Sequence, residues 1–567
     1  MAGVMTWGEY RPDVNDLDQQ HTRSILNVVP RGDGYGPMQD LVSFTTAVGA
    51  PCRGMFYARN DDGSVTIFAA TSTNIYMLEN STFTWENVSQ GGGPYTALPA
   101  TAHWQFAQFG QIVIAVQPNV DPQKFDLGSP MAFEDLGDDP PRAAYIAIVN
   151  RFVVLSGLTD NPTRMQWCGI DDIENWTAGT GSGDFQDLPD GGNARNVVGG
   201  EFGIILQDFA VRRMIFAPGS ELIFQIDRIG KDQGVLAPYS VCTSGDLIFF
   251  LSPQGFVQMD ANGGMIPIGR EKVDRTFFAD WDDGQVQLVM AAADPRAHKV
   301  LFVYKRLASS GTTWDRGLIY DWLLKRWSPL MIEGEFISSL SRPGLTLEGL
   351  DALAPGAMSI TGAANNGSGL IRITVADTDA APYPIVTGEW RTISAVGGTT
   401  EANGTWQVTR ISGTTFDLVG STFANNYTSG GIVGGSVDLM EFPFDDISTG
   451  TLPQLSAFNS SHELGFFSGD TLEATMETPE QSNGNGRLRV QGFWPLTDAP
   501  TVYGSISKRE NLNVSPTYTN ESLMSSIGFC AMIRDTRYSK AKIRIPAATA
   551  WTYATGVRPE ATSGGMH

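Results

Sequence analysis

The sequence predicts an all-β protein, and three observations carry that reading. Short apolar runs bounded by Gly, Pro, Asn and Asp recur along most of the chain. Stretches of helix length with an amphipathic period are nearly absent. Charged residues make up 17% of the 567 residues, while 63 Gly and 31 Pro punctuate the chain throughout; ordinary soluble domains carry roughly 25% charge.

In chain order the β-type runs are Val65 to Ala70, Ile112 to Val116, Tyr145 to Leu155, Ile204 to Leu206, Leu247 to Leu251, Val300 to Tyr304 and Leu318 to Tyr320. Several belong to a loosely repeated phrase of apolar strand, turn and aromatic strand, closed by Trp or Phe before a polar residue. The phrases recur about every 40 to 50 residues, the length of a four-stranded propeller blade. A β-propeller-like body of six or so blades is therefore expected over residues 51–345, with a pair of stacked β-sandwiches as the alternative.

Past a Leu- and Ala-containing break, residues 358–436 read as an inserted small β-barrel or sandwich module, with turns at Asn365-Asn-Gly, Gly397-Gly and Asn403-Gly. Residues 437–555 read as a C-terminal β region and 556–567 as a loose tail. Residues 1–50 carry aromatic weight in Trp7, Tyr10 and Tyr35 without a local apolar set. They read as an N-terminal arm whose aromatics anchor on a neighbouring subunit.

Lys plus Arg number 38 against 61 Asp plus Glu, a net charge of −23. That balance repels phosphate backbones and disfavours net nucleic-acid binding. Of the cations, 29 are Arg and 9 are Lys, and Arg is the cation that interfaces retain. The cysteines, Cys52, Cys168, Cys242 and Cys530, are far apart and read as reduced core thiols. No basic-apolar leader opens the chain, and no apolar run approaches the roughly 18 residues of a membrane span.

Enzyme signatures fail: there is no G-x-S-x-G, H-E-x-x-H or Walker A sequence, and no His of the five falls at metal-ligand spacing from another His or a Cys. The expectation is a non-enzyme with no metal and no cofactor. Asp280, Asp282 and Asp283 before Gly284 fall short of a calcium loop, which needs its Gly one position later and a closing Glu. Thr313-Trp-Asp315-Arg-Gly317 is similar to the Asp-box turn of propeller blades, a structural device. Arg31-Gly-Asp33 with Gly34 following reads as a tight turn. Arg534, Arg537, Lys540, Lys542 and Arg544 form a local basic exception. The alternation of the last three with Ala541, Ile543 and Ile545 puts the cations on one face of a strand, either paired with local carboxylates, contacting an acidic partner subunit, or contacting DNA or bacterial surface polysaccharide.

Three stretches resemble the tail nozzle family of short-tailed bacteriophages, related to tail tubular protein B and the packaged-DNA stabilisation proteins. The first runs from Leu26-Asn-Val-Val-Pro30 and Gly34-Tyr35-Gly-Pro37 to Phe56-Tyr57 and the Ile67 strand. The second joins Val149-Asn-Arg-Phe-Val-Val, Asp171-Asp-Ile-Glu-Asn-Trp176, Phe249-Phe-Leu-Ser-Pro-Gln-Gly-Phe and Val273-Asp-Arg-Thr-Phe-Phe278. The third is Arg537-Tyr538 with Ile545-Pro546 and Trp551. Residues 360–435 resemble a small β module that recurs in phage tail proteins and is similar to a half-domain of ubiquitin-activating enzymes. Having no cysteine, the module inherits no activating chemistry.

The resemblance implies a homohexameric ring in the virion tail, assembled in the bacterial cytoplasm. Its partners would be the tail adaptor and the fibre or spike proteins. It would hold packaged DNA, then let it pass without specific binding. A lumen that lets DNA slide should be lined by carboxylates, and the candidate lumen-facing acids are Asp138, Asp139, Asp280, Asp282, Asp283, Asp445 and Asp446. The candidate subunit-contact residues are Trp7, Tyr10, Tyr35 and the five C-terminal cations. A receptor-binding or polysaccharide-degrading tail fibre is the alternative, and a trimer would distinguish it from a ring.

Overall fold

Successive hairpins generate the body of the molecule. A computed structural model of the chain describes residues 4–15, 20–80, 82–129, 131–219, 222–260, 262–341, 358–378, 385–435, 453–482 and 486–563. Six four-stranded antiparallel meanders follow one another over residues 54–87, 105–135, 143–187, 194–231, 237–267 and 290–330. The inner strand of each lies against the inner strand of the next. A seventh sheet, with inner strand Phe336–Leu340, adjoins the sixth and also the inner strand Gly54–Arg59 of the first, which closes the circle. The body is thus a seven-bladed β-propeller, one blade more than the sequence spacing suggested.

The seventh blade explains the miscount, because it is assembled from three separate pieces of sequence. Phe336–Leu340 is followed in the sheet by Gln454–Phe458, Glu463–Thr471 and, outermost, Gln39–Ala47. An N-terminal strand therefore closes a ring whose other strands come later in the chain. A local reading also fails at Tyr145 to Leu155, which looks like one long strand. It is a hairpin, Ala143–Val149 and Phe152–Leu158, turned at Asn150 with φ of 54°. Asn tolerates this left-handed conformation better than most residues.

The apolar residues alternate onto the blade faces and fill the spaces between blades. Phe68, Trp104, Phe125 and Phe133 join the first two blades; Phe152, Trp167, Ile205 and Phe224 join the third and fourth. Trp314 and Leu301 of the sixth blade meet Ile67 of the first and Phe458 of the seventh in another cluster. Burying each such side chain contributes roughly 1.5–3 kcal/mol. Asp315, of the expected Asp-box turn, accepts the Arg306 backbone N–H at 3.0 Å and its guanidinium at 2.8 Å before the strand Arg316–Asp321.

Two further sheets form a sandwich from both ends of the chain. One is ordered Cys530–Thr536, Leu488–Thr497, Ala554–Ser563, Gly34–Pro37 and Val28–Arg31, and Met5–Thr6 also pairs with Ala554–Ser563. The other is ordered Ile25–Leu26, Ala474–Glu477, Ala541–Ile545, Tyr503–Lys508 and Thr517–Tyr518, with Ser522–Leu523 also on Tyr503–Lys508. Phe493, Ile506, Cys530, Ile543 and Val557 share its core with residues of the fifth and sixth blades, including Phe256 and Trp327.

This arrangement corrects three expected boundaries. Residues 1–50 are no arm, since they supply sandwich strands and the closing strand of a blade. Residues 454–471 belong to the propeller, not to a C-terminal region. Within the expected tail, 556–563 continue a paired strand. Arg31-Gly-Asp33 is the expected tight turn, with Arg31 paired to Gly34 across it.

A second unit, centred on residues 343–451, is distinct from the first, which holds the propeller and sandwich. Its strands form a closed six-stranded barrel in the order Met358–Asn365, Ile371–Val375, Thr415–Leu418, Gly404–Ser412, Trp390–Gly397 and Ser429–Gly435. Ile371, Ile373, Val408, Phe416 and Leu418 fill it. In the first turn the Asn365 and Asn366 side chains accept the N–H groups of Gly367 and Ser368, each at 2.8 Å.

Candidate functional surfaces

The inner strands of the propeller converge on a cavity of about 380 Å³, bounded by Gln105, Asn196, Thr243 and Ser338 among others. That is the volume of a small-molecule pocket, too small to hold a nucleic-acid duplex. Tyr239 and His103 pack beside it with ring centroids 4.6 Å apart, and Phe336 lies 5.3 Å from the His103 ring. Tyr239 Oη accepts the His103 backbone N–H at 2.9 Å, and His103 Nε2 lies 3.0 Å from the Gln287 carbonyl oxygen. Burial, with the Arg53 charge nearby, holds the His103 pKa down to about 3, so the ring is neutral and Nε2–H donates to that carbonyl.

The candidate lumenal acids divide into three sets. Asp138 and Asp139 are exposed and left-handed, with φ of 49° and 55°, in the connection from the second blade to the third. Asp280 and Asp282 are already engaged: Asp280 accepts the Tyr304 hydroxyl at 3.1 Å, and Asp282 pairs with Lys305 at 2.7 Å while accepting the Gly284 N–H at 3.2 Å. Asp283 beside them is exposed. Both described sets lie in connections from an outer strand to the next inner strand, which puts them on one face of the ring. Asp445 and Asp446 lie outside the described residues.

Of the candidate contact residues, the three aromatics are turned inward, and Lys542 and Arg544 are paired with carboxylates. Trp7, Tyr10 and Tyr35 are buried in the chain's own core at 2%, 7% and 0% exposure, and Tyr35 donates to the Gly8 carbonyl at 2.8 Å. They hold the N-terminal segment onto the sandwich and offer no surface to a neighbour, contrary to the sequence expectation. Along Ala541–Ile545 the buried and half-buried residues alternate as anticipated. Arg544 pairs with Glu521 at 2.6 Å and Glu473 at 3.0 Å, over the Tyr503 ring. Lys542 lies 3.6 Å from Glu477. Lys540 is buried, and Arg534 and Arg537 are half-buried. Pairing with local carboxylates is thus the reading that fits Lys542 and Arg544.

One site escaped the sequence reading. Asp274 begins the short helix Asp274–Asp280 and is 8% exposed. Its Oδ1 accepts the Phe256 N–H at 3.2 Å, and it borders a cavity of about 440 Å³ together with Arg270, Glu271, Gln233 and Gln254. Burial, reinforced by the Asp13 charge, pushes its pKa up to about 7. Gly255 and Gly269 make room for it, since a Cβ at either would fall within 2.0 Å of a carboxylate oxygen. In sequence Asp274 is one acid among 61, and nothing local marks it. Among the described residues no group of three or more His, Cys, Asp or Glu is placed to hold a metal ion.

No family model matches the chain, and no curated protein does. Among solved structures it is similar to dihydro-heme d1 dehydrogenase NirN in complex with DHE, at 11% identity and a TM-score of 0.32. That match covers 69% of this chain and 80% of the other. A likeness of that degree says nothing about activity or ligand.

Proposed function

We propose that this chain is a structural subunit of a bacteriophage tail, of the nozzle type, forming with its copies a ring that retains packaged DNA and lets it leave. The role requires no catalysis. The observation that carries the reading is how the cations are committed. Besides Arg544 and Lys542, ion pairs within the chain hold Arg142 to Asp121, Arg164 to Asp187, Arg306 to Asp315 and Arg487 to both Glu510 and Asp535. Other cations among the described residues stay exposed without such a pair, but with 61 acids against 38 bases the net balance of the chain is acidic. Such a surface releases few counterions to DNA and gives a moving duplex little to hold.

The cavity among the inner strands is too small to hold a duplex, so in this reading the DNA conduit forms between copies. The resemblance to the tail nozzle family supplies the ring and its place below the adaptor. Two-dimensional class averages of the purified chain, or of virion tails labelled with it, test the proposal. A closed six-fold ring is the expected result. A trimer would favour the fibre alternative, and a monomer absent from virions would overturn the tail role.

A further inference from the structure

The barrel unit carries an outward face unlike the rest of the chain. Of 13 tryptophans, Trp390 alone is exposed, at 53%; the others are buried or half-buried. On the strand Trp390–Gly397 the outward positions are Trp390, Thr392 and Ser394, alternating with inward Arg391 and Ile393. Gln407 and Thr405 of one neighbouring strand stand directly across from Trp390 and Thr392. On the other side, Gly434 and Ile432 stand across from Thr392 and Ser394. The face is therefore an indole, four hydroxyl or amide side chains, a glycine floor and one aliphatic wall. From Trp390 to Ser394 it spans roughly 13 Å.

We propose that this face is a binding site for a neutral polysaccharide. The C–H face of a pyranose ring is apolar and slightly positive at its hydrogens, so it lies flat on the negative face of an indole. Its hydroxyls then need donors and acceptors in the same plane, which Thr392, Thr405, Ser394 and Gln407 supply. Gly434 has no side chain to hold the sugar off. The polar groups are held in place before binding: Thr392 and Thr405 share a hydroxyl hydrogen bond of 3.1 Å, and Gln407 Nε2 donates to the Gly388 carbonyl at 2.9 Å. Pre-organisation of this kind lowers the entropic cost of a shallow site.

Charge selects the occupant. In a chain carrying −23, none of the residues that make up this face is charged. The sequence neighbours of Trp390, Glu389 and Arg391, pair with each other at 2.9 Å. The described residues named on this face offer an acidic polymer no cation and a basic one no acid, so the complement is an uncharged, hydroxyl-rich chain.

The test is affinity electrophoresis of the full chain in native gels containing dextran, galactomannan or, as an anionic control, alginate. Retardation by at least one neutral polymer and none by alginate is expected. In Trp390→Ala the apparent dissociation constant should rise at least about tenfold, and Trp390→Phe should restore much of the retardation. Circular dichroism melts of both variants check that the barrel is intact. The proposal is overturned if neither neutral polymer retards the wild type, if Trp390→Ala is retarded equally, or if Trp390→Ala instead changes the oligomeric state alone, which would make the face a protein contact.

Discussion

Asp13 caps a helix that begins more than 260 positions later in the chain: its Oδ1 accepts both the backbone N–H of Thr276 at 2.9 Å and the Thr276 hydroxyl at 2.7 Å. Its Oδ2 takes the Arg275 N–H at 2.9 Å. The first-turn N–H groups of a helix lack internal partners, and here a residue of the N-terminal segment supplies the acceptor that the local sequence does not. Val273 occupies the cap position and makes no side-chain bond there.

Asp13→Ala should accordingly destabilise the chain by about 1–2 kcal/mol, the usual cost of a lost N-cap. Thr276→Val should cost less, and the double variant should cost less than the sum, because both remove the same bond. Urea unfolding of the four proteins measures this. Strict additivity would mean that the contact contributes nothing in solution.

Asp274 makes stability depend on pH in an unusual direction. Its ordinary value is 3.8 and the folded chain holds it at about 7. Below about pH 4 folded and unfolded chains both bind the proton; between about 4 and 7 only the folded chain does. This group's contribution is therefore present at low pH and lost as pH rises toward 7, by up to about 4 kcal/mol. Asp274→Asn keeps an acceptor for Phe256 and removes the titration. It should match the wild type only below about pH 4, already be slightly more stable at pH 5 and be clearly the more stable protein at pH 8, as read from melting temperatures across the series. A difference that does not change with pH would show that the carboxyl ionises freely in the folded chain.

In sequence the second unit lies between two paired strands of the seventh blade. Leu340 and Gln454 are cross-strand partners at the end of the paired strands Phe336–Leu340 and Gln454–Phe458. The chain thus leaves and returns at adjacent points of one ladder, where a two-residue turn can close it. Replacing residues 342–452 by Asn-Gly with short flanks should leave a folded propeller and sandwich, with melting within a few degrees of the intact chain. Loss of soluble protein would show that the blade depends on the segment removed.

Much of the propeller was legible in the sequence because a blade is a local object. Val65–Ala70 and the cores of the strands Leu247–Ser252 and Lys299–Tyr304 stood out as β-branched and aromatic runs between turn residues. The blade-length repeat followed from them. Alternation along Ala541–Ile545 likewise told which side chains face inward, since a strand's period is fixed by its backbone.

What the sequence determined by itself was the β character, the propeller-like body, the acidic balance and the facing of individual strands, all of which depend on neighbours a few residues away. Tertiary structure alone decided the rest. Gln39–Ala47 closes a blade by pairing with a strand more than 400 positions later, Trp7 and Tyr35 bury in a sandwich shared with the other end of the chain, and Asp274 is a carboxyl whose environment comes from Gly255, Gly269 and Asp13. Pairing and desolvation act through space, and a residue's type carries no record of which distant segment will cover it.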